Sequence, residues 1–168
     1  MGADRSGRPA AGQERRRGLG ARARRAAGRA GPPGPVAVRA LLDTNVVITG
    51  GFVAPAEITE VAICSISYAE LEQGLVAPGL DPAALADRKL QVLEIRQAFG
   101  RGLPFDDVAA MYYGRIVEAV HASGRSPRGR IADLMIAAVA RAHGAAIVTH
   151  NVADFAGLER IVQVISAD

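Results

Sequence analysis

Four carboxylates are the residues of this chain best placed to do chemistry: Asp43, Glu70, Asp133 and Asp154. Each lies in a different segment, and no His or Cys cluster of zinc-site spacing accompanies them. Carboxylates that converge repel one another and raise each other's pKa values unless a cation neutralises them. An all-oxygen donor set suits a hard ion, Mg²⁺ or Mn²⁺. Such ions act on phosphoryl groups by activating water and stabilising the oxygens of an in-line displacement. Phosphodiester hydrolysis is therefore the reaction class this set implies.

Whether the four acids meet depends on the elements that carry them. From Val36 onward, short apolar β-branched runs alternate with longer amphipathic ones. The pattern predicts strands over Val36–Leu42, Val61–Ser65, Ala145–Thr149 and Ile161–Ile165, with a weaker fifth at Leu103–Phe105. Helices are predicted over Tyr68–Val76, over Pro82–Phe99 after Asp81, and over Asp107–Ala122 behind an Asp106 cap. A last one, Ile131–His143, ends at Gly144. This β-α-β-α order predicts an α/β fold with a mostly parallel sheet flanked by helices. In such sheets ligands gather beyond the carboxyl ends of the strands. Asp43 directly follows the first strand, and Glu70 stands in the first turn of the helix after the second. Thr149, Asn151 and Asp154 close or follow the Ala145–Thr149 strand.

Each acid also has a purely structural explanation. Asp43 could cap a short helix over Val46–Ile48. Ser67-Tyr68-Ala69-Glu70 fits the S-x-x-E capping box, which would employ Glu70 at a helix start. Asp154 could be a solvated loop acid. Asp133 is the hardest to explain away, because Ile131–Ala140 is apolar nearly all round and marks a buried helix. Burying an unpaired carboxylate costs several kcal/mol even after relaxation, so a cation or hydrogen-bond donors must compensate. The structural alternative is an ion pair with Arg130, one turn earlier.

Composition narrows the classes. At 168 residues there is room for one domain with a proper core. Aromatics make up 4% and Trp is absent, so no stacking platform for single-stranded bases is visible. Cys64 is the only cysteine, which excludes an internal disulfide; within Val61-Ala62-Ile63-Cys64 it reads as a small buried hydrophobe. No apolar stretch approaches a membrane span, and a cytoplasmic location is expected. There is no phosphate-cradling GxGxxG or P-loop. His121 and His143 sit near helix C-termini, where dipole and capping interactions explain them.

Charge divides the chain in two. Residues 1–34 hold nine arginines against Asp4 and Glu14, whereas the remainder holds 11 basic and 15 acidic residues. Residues 1–35 are rich in Arg, Gly, Ala and Pro and end in Gly31-Pro32-Pro33-Gly34-Pro35. Such a segment cannot bury enough apolar surface to offset its ordering entropy. It is expected to be a disordered tail, or sequence upstream of a true start near Val36 or Val38, with residues 36–168 forming the domain.

The same residues carry a family resemblance. The pieces are Leu41-Leu42-Asp43-Thr44-Asn45, Ser65-Ile66-Ser67-Tyr68-Ala69-Glu70-Leu71, Leu103-Pro104-Phe105-Asp106 and Gly124-Arg125. Arg130-Ile131-Ala132-Asp133-Leu134-Met135-Ile136-Ala137-Ala138 follows, then Ile147-Val148-Thr149-His150-Asn151 with Asp154-Phe155. From about Arg39 to Asp168 the chain resembles a PIN-domain ribonuclease, in particular a VapC-type toxin of bacterial toxin–antitoxin pairs. The resemblance implies a three-layer α/β/α PIN fold. It implies Mg²⁺ or Mn²⁺ held by Asp43, Glu70, Asp133 and often Asp154, with endonucleolytic RNA cleavage. Asn45, Thr149 and Asn151 match positions that shape the site. A homodimer and a small antitoxin that blocks the active site are implied as well. Arg125, Arg128 and Arg130 form a basic stretch before Asp133 that could hold the RNA backbone. Two departures stand out. His150 occupies a place where such proteins often have Arg, and the Asp43–Glu70 interval, containing Gly50-Gly51 and Pro55, is too short for a long first helix pair.

Two other functions compete. One is a housekeeping PIN nuclease of RNA maturation. The other is a receiver-like signalling module with an acidic Mg²⁺ pocket, which would need a lysine after a late strand. The only lysine, Lys89, lies in a predicted helix.

Overall fold

The computed structural model describes residues 38–168. The expected tail, and Val36 and Ala37 of the predicted first strand, lie outside the described residues. Four strands form one parallel sheet: β1 (Val38–Leu42), β2 (Ile58–Ala62), β3 (Ala145–Thr149) and β4 (Val164–Ser166), in the order β2-β1-β3-β4. Among the described residues five α-helices accompany them: α1 (Thr44–Thr49), α2 (Ser65–Leu75), α3 (Pro82–Phe99), α4 (Asp107–Ala122) and α5 (Ile131–Ala142).

Side chains alternate across a strand, and the two faces of this sheet bury separate cores. Leu41 and Ile147 point to the face covered by α4 and α5, packing with Ile116, Val120, Leu134 and Val139. Ala40, Leu42 and Val148 point to the other, covered by α1, α2 and α3 through Val46, Leu71, Val92 and Ile95. Helices on both sides explain why β3 is buried at every residue and why its sequence shows no polar alternation. The result is the expected three-layer α/β/α architecture.

Helices α3 and α4 have the predicted bounds, set by Asp81 and Asp106 caps. Asp81 accepts the N–H groups of Ala83 and Ala84, and Asp106 accepts that of Ala109. Helix α5 ends at Ala142, with His143 as its cap and Gly144 just beyond at φ 63°. Three expectations need correction. β2 is Ile58–Ala62 and not Val61–Ser65, because an edge strand tolerates the exposed Thr59 and half-buried Glu60 that interrupt the apolar run, and Ser65 already opens α2. β4 is Val164–Ser166, since Ile161 and Val162 belong to the preceding turn and pack on the α4–α5 core. Leu103–Phe105 is not a strand but a single bridge from Leu103 to Cys64.

That bridge depends on Gly102. A Cβ there would lie 2.7 Å from the Cys64 carbonyl carbon and 3.0 Å from Ser65 N, both backbone atoms that cannot step aside. Gly102→Ala is expected to destabilise the protein by about 1–3 kcal/mol, the cost of overpacking. A denaturant midpoint equal to that of wild type would refute the crowding argument. Cys64 itself is fully buried and its thiol is pushed up by burial, as a packing residue should be.

Candidate active site

The carboxyl ends of β1 and β3 place Asp43 and Thr149 side by side. The Asp43 N–H donates to Val148 O at 2.9 Å, which continues the ladder one step past β1. Asp43 is 4% exposed and Thr149 is fully buried. Asp43 is the N-cap of α1, its Oδ1 accepting the Thr44 N–H at 2.7 Å. Its Oδ2 accepts from Thr149 Oγ1 and from Asn45 Nδ2, both at 2.8 Å. Capping and site-building are thus one role here. A carboxylate offers about four lone-pair sites; three are taken by donors that fix its orientation.

Around this acid the polar side chains interlock. Asn45 Nδ2 also donates to Thr149 Oγ1 at 3.1 Å, and Asn45 Oδ1 accepts the His150 N–H at 3.2 Å. Thr149 Oγ1 accepts the Asn151 N–H at 3.0 Å, and Asn151 Nδ2 donates to Asp154 Oδ2 at 2.5 Å. The expected site-shaping residues Asn45, Thr149 and Asn151 therefore form one chain of hydrogen bonds from Asp43 to Asp154. His150 turns aside to meet Asp168, Nδ1 to Oδ1 at 2.6 Å.

Glu70 is not part of a capping box. Helix α2 spans Ser65–Leu75 and not Tyr68–Val76, with Cys64 as its cap, so Ser67 is already inside the first turn and buried, and Glu70 stands in the second turn and not the first. Freed from that task, Glu70 accepts from Thr44 Oγ1 at 2.6 Å through Oε2. Thr44 is the residue sequence reasoning passed over: it ties α1 to α2 across the site. Its only sequence signal is its place between Asp43 and Asn45.

The carboxylate of Asp133, in the first turn of α5, is partly buried and makes no hydrogen bond or ion pair within 4.0 Å among the described residues. The alternative pairing with Arg130 is not formed. The Arg130 guanidinium donates through Nη2 to the backbone carbonyl of Asp154. Arg125 reaches the same segment, while Arg128 is exposed.

Electrostatics tie the acids together. Burial lifts the Asp133 pKa to about 6, helped by the charges of Asp154, Asp43 and Glu70 and opposed by Arg130. Burial also raises Asp43, against the hydrogen bonds of Thr149, Thr44 and Asn45, with Asp154 adding to the rise. Glu70 is raised by burial and by Asp43, while Thr44 opposes. Asp133 thus feels the other three acids, although among the described residues no three His, Cys, Asp or Glu are already gathered as an ion cage. The donor chemistry fits a hard divalent ion: oxygens alone, with the Asp133 carboxylate lacking any donor.

A raised carboxyl pKa stabilises the fold below the unfolded value, and that stability is lost as pH rises through the folded one. The metal-free protein is therefore expected to lose thermal stability between about pH 4 and pH 7. The decline should be shallower in Asp133→Asn. Melting curves in chelator that are parallel for the two proteins would refute it.

A model of the PIN domain family matches residues 40–160. The chain belongs to the PIN domain family. Solved structures agree. This PIN domain is 32% identical to a VapBC-5 chain of the VapBC toxin–antitoxin systems from Mycobacterium tuberculosis, with a TM-score of 0.60 over 77% of this chain and 97% of that one. It is 28% identical to a chain of FitAcB from Neisseria gonorrhoeae, with a TM-score of 0.60 over 76% and 97%. A chain of DNA-bound VapBC from Salmonella typhimurium is 25% identical, with a TM-score of 0.59 over 78% and 99%. No curated protein sequence matches the chain. Among the described residues of this PIN domain, no helix is long and apolar enough to cross a membrane.

Proposed function

We propose that this PIN domain is a metal-dependent endoribonuclease, the toxin of a VapBC-type toxin–antitoxin pair acting in the cytoplasm, with residues 36–168 as its catalytic body. The observation that carries the proposal is Asp133: a partly buried carboxylate without a donor, coupled to three other acids at the carboxyl edge of a parallel sheet. Asp43, Glu70, Asp133 and Asp154 would hold Mg²⁺ or Mn²⁺. The bound ion would supply Lewis-acid polarisation of a phosphoryl oxygen and a more acidic water.

The chain's own residues do the rest. Thr149 and Asn45 lock Asp43 in one orientation, and Thr44 does so for Glu70, so the acceptors are set before RNA arrives. Preorganised charge of this kind needs no rearrangement in the transition state. Arg128, exposed in the loop before α5, is left to meet the RNA backbone. The VapBC and FitAB relatives favour a toxin with an antitoxin partner over a housekeeping nuclease; a homodimer is part of the same proposal. The receiver-like alternative, already lacking its lysine, loses further ground to the PIN match.

The test is direct. Purified full-length chain is incubated with RNA in Mg²⁺, in Mn²⁺ and in excess chelator, and the products are mapped at their ends. Internal cuts that vanish with chelator and return with metal are expected. Undiminished cleavage in chelator would refute metal dependence, and intact RNA under all conditions would refute the nuclease.

A further inference from the structure

The segment carrying Asp154 has no strand ladder to hold it. It is a four-residue 3₁₀ turn, Val152–Phe155, whose Asn151 cap makes no side-chain bond to its backbone. Phe155, 1% exposed, roots it in the core. Two arginines from the loop before α5 take up its carbonyl oxygens. Arg125 donates from Nη1 to Ala156 O at 3.0 Å and from Nη2 to Ala153 O at 3.4 Å. Arg130 donates from Nη2 to Asp154 O. Among the described residues the Arg130 Nε is buried without a partner, so this side chain is turned into the protein.

An arginine that grips a phosphate does so with a planar fork of free donors. Arg125 gives one N–H of each Nη to backbone, and Arg130 gives one N–H of Nη2 while its Nε is enclosed, so both guanidiniums are oriented by the Asp154 segment. Arg130 also stands three residues before Asp133, near enough for its charge to act on that carboxylate. It therefore spans the two segments that carry Asp133 and Asp154.

We propose that Arg130, assisted by Arg125, is a positioning residue that fixes the Asp154 turn against the start of α5 and so sets the spacing of Asp154, Asp133 and Asp43. It acts through backbone carbonyls and not on the nucleic acid. The proposal rests on the carboxylate site being the nuclease centre.

Three measurements on the full chain test it. In the metal-free protein, Arg130→Met and Arg125→Met should speed amide hydrogen exchange across residues 151–156. In calorimetric titration with Mn²⁺, Arg130→Met should bind about tenfold more weakly, the lower scale of losing an outer partner of a metal site. In cleavage assays kcat should fall by up to about 10²-fold, the effect of a small misplacement, with Arg130→Lys partly restoring it. Combined with Asp154→Asn, the loss should be strongly non-additive, because both changes act on one element.

RNA affinity separates positioning from contact. Measured in an Asp43→Asn background, it should be unchanged by Arg130→Met. Weaker binding with a salt slope shallower by about 0.7, the signature of one lost phosphate contact to a single strand, would overturn the proposal. An additive cycle or unaltered exchange would overturn it too. If Arg130→Met fails to fold, Arg130→Lys and Arg125→Met carry the same tests. Should wild type neither cut RNA nor bind Mn²⁺, the nuclease itself is refuted, while the exchange arm still decides whether the arginines hold the turn.

Discussion

Asp133→Asn is expected to abolish metal-dependent RNA cleavage, by at least about 10²–10³-fold, the scale of removing one preorganised electrostatic group. The same change should make the metal-free protein more stable at neutral pH, not less. Among the described residues the Asp133 carboxylate has no hydrogen-bonding partner to lose, and its charge is disfavoured by burial and by three neighbouring acids. An amide of the same shape removes that repulsion. A gain of about 1 kcal/mol would raise Tm by roughly 4 °C in a domain of this size. Asp43→Asn should lose activity to a similar extent but without the thermal gain. Its carboxylate accepts three hydrogen bonds, and the amide NH₂ would face one or more of those donors. Cleavage rates and melting curves of both variants check the pair of expectations. Full cleavage by both with metal present would remove the site assignment altogether.

The second large effect is expected at Thr149. Its hydroxyl is the hub that donates to Asp43 and accepts from Asn45 and the Asn151 N–H. Thr149→Val keeps the shape and the β-branch but deletes the hub at a fully buried position. The orphaned groups should cost about 1–3 kcal/mol. Cleavage should fall about 10–100-fold, as when an outer-shell partner of a metal site is lost. Thr149→Ser, which restores the hydroxyl, should recover most of the activity. If Val and Ser variants were equally active, the hub would be a bystander, and orientation of Asp43 would have to come from Thr44 and Asn45 alone.

Local patterning suffices for the architecture and for naming the candidate acids. Alternating apolar periods are local properties, so the parallel sheet and the bounds of α3 and α4 follow from them, fixed at their starts by Asp81 and Asp106. The end of β1 could be read in the same way, because Asp43 breaks the run Ala40-Leu41-Leu42. Asp133 was legible as an acid on an apolar helix, whatever its partner.

How these groups are used depends on long-range contacts. Ser67-x-x-Glu70 matches a capping box locally, yet Cys64 bridges to Leu103 and the helix starts earlier, which releases Glu70 to Thr44. Arg130 was a local candidate for pairing with Asp133, but the turn after β3 brings the Asp154 carbonyl within reach and takes its donor. Both decisions turn on contacts between residues more than 20 positions apart, and hydrogen bonds across such distances leave no periodicity in the chain. The four carboxylates can be listed from sequence; their inequality cannot. Asp43 is held by three donors, Glu70 and Asp154 by one each, and Asp133 by none.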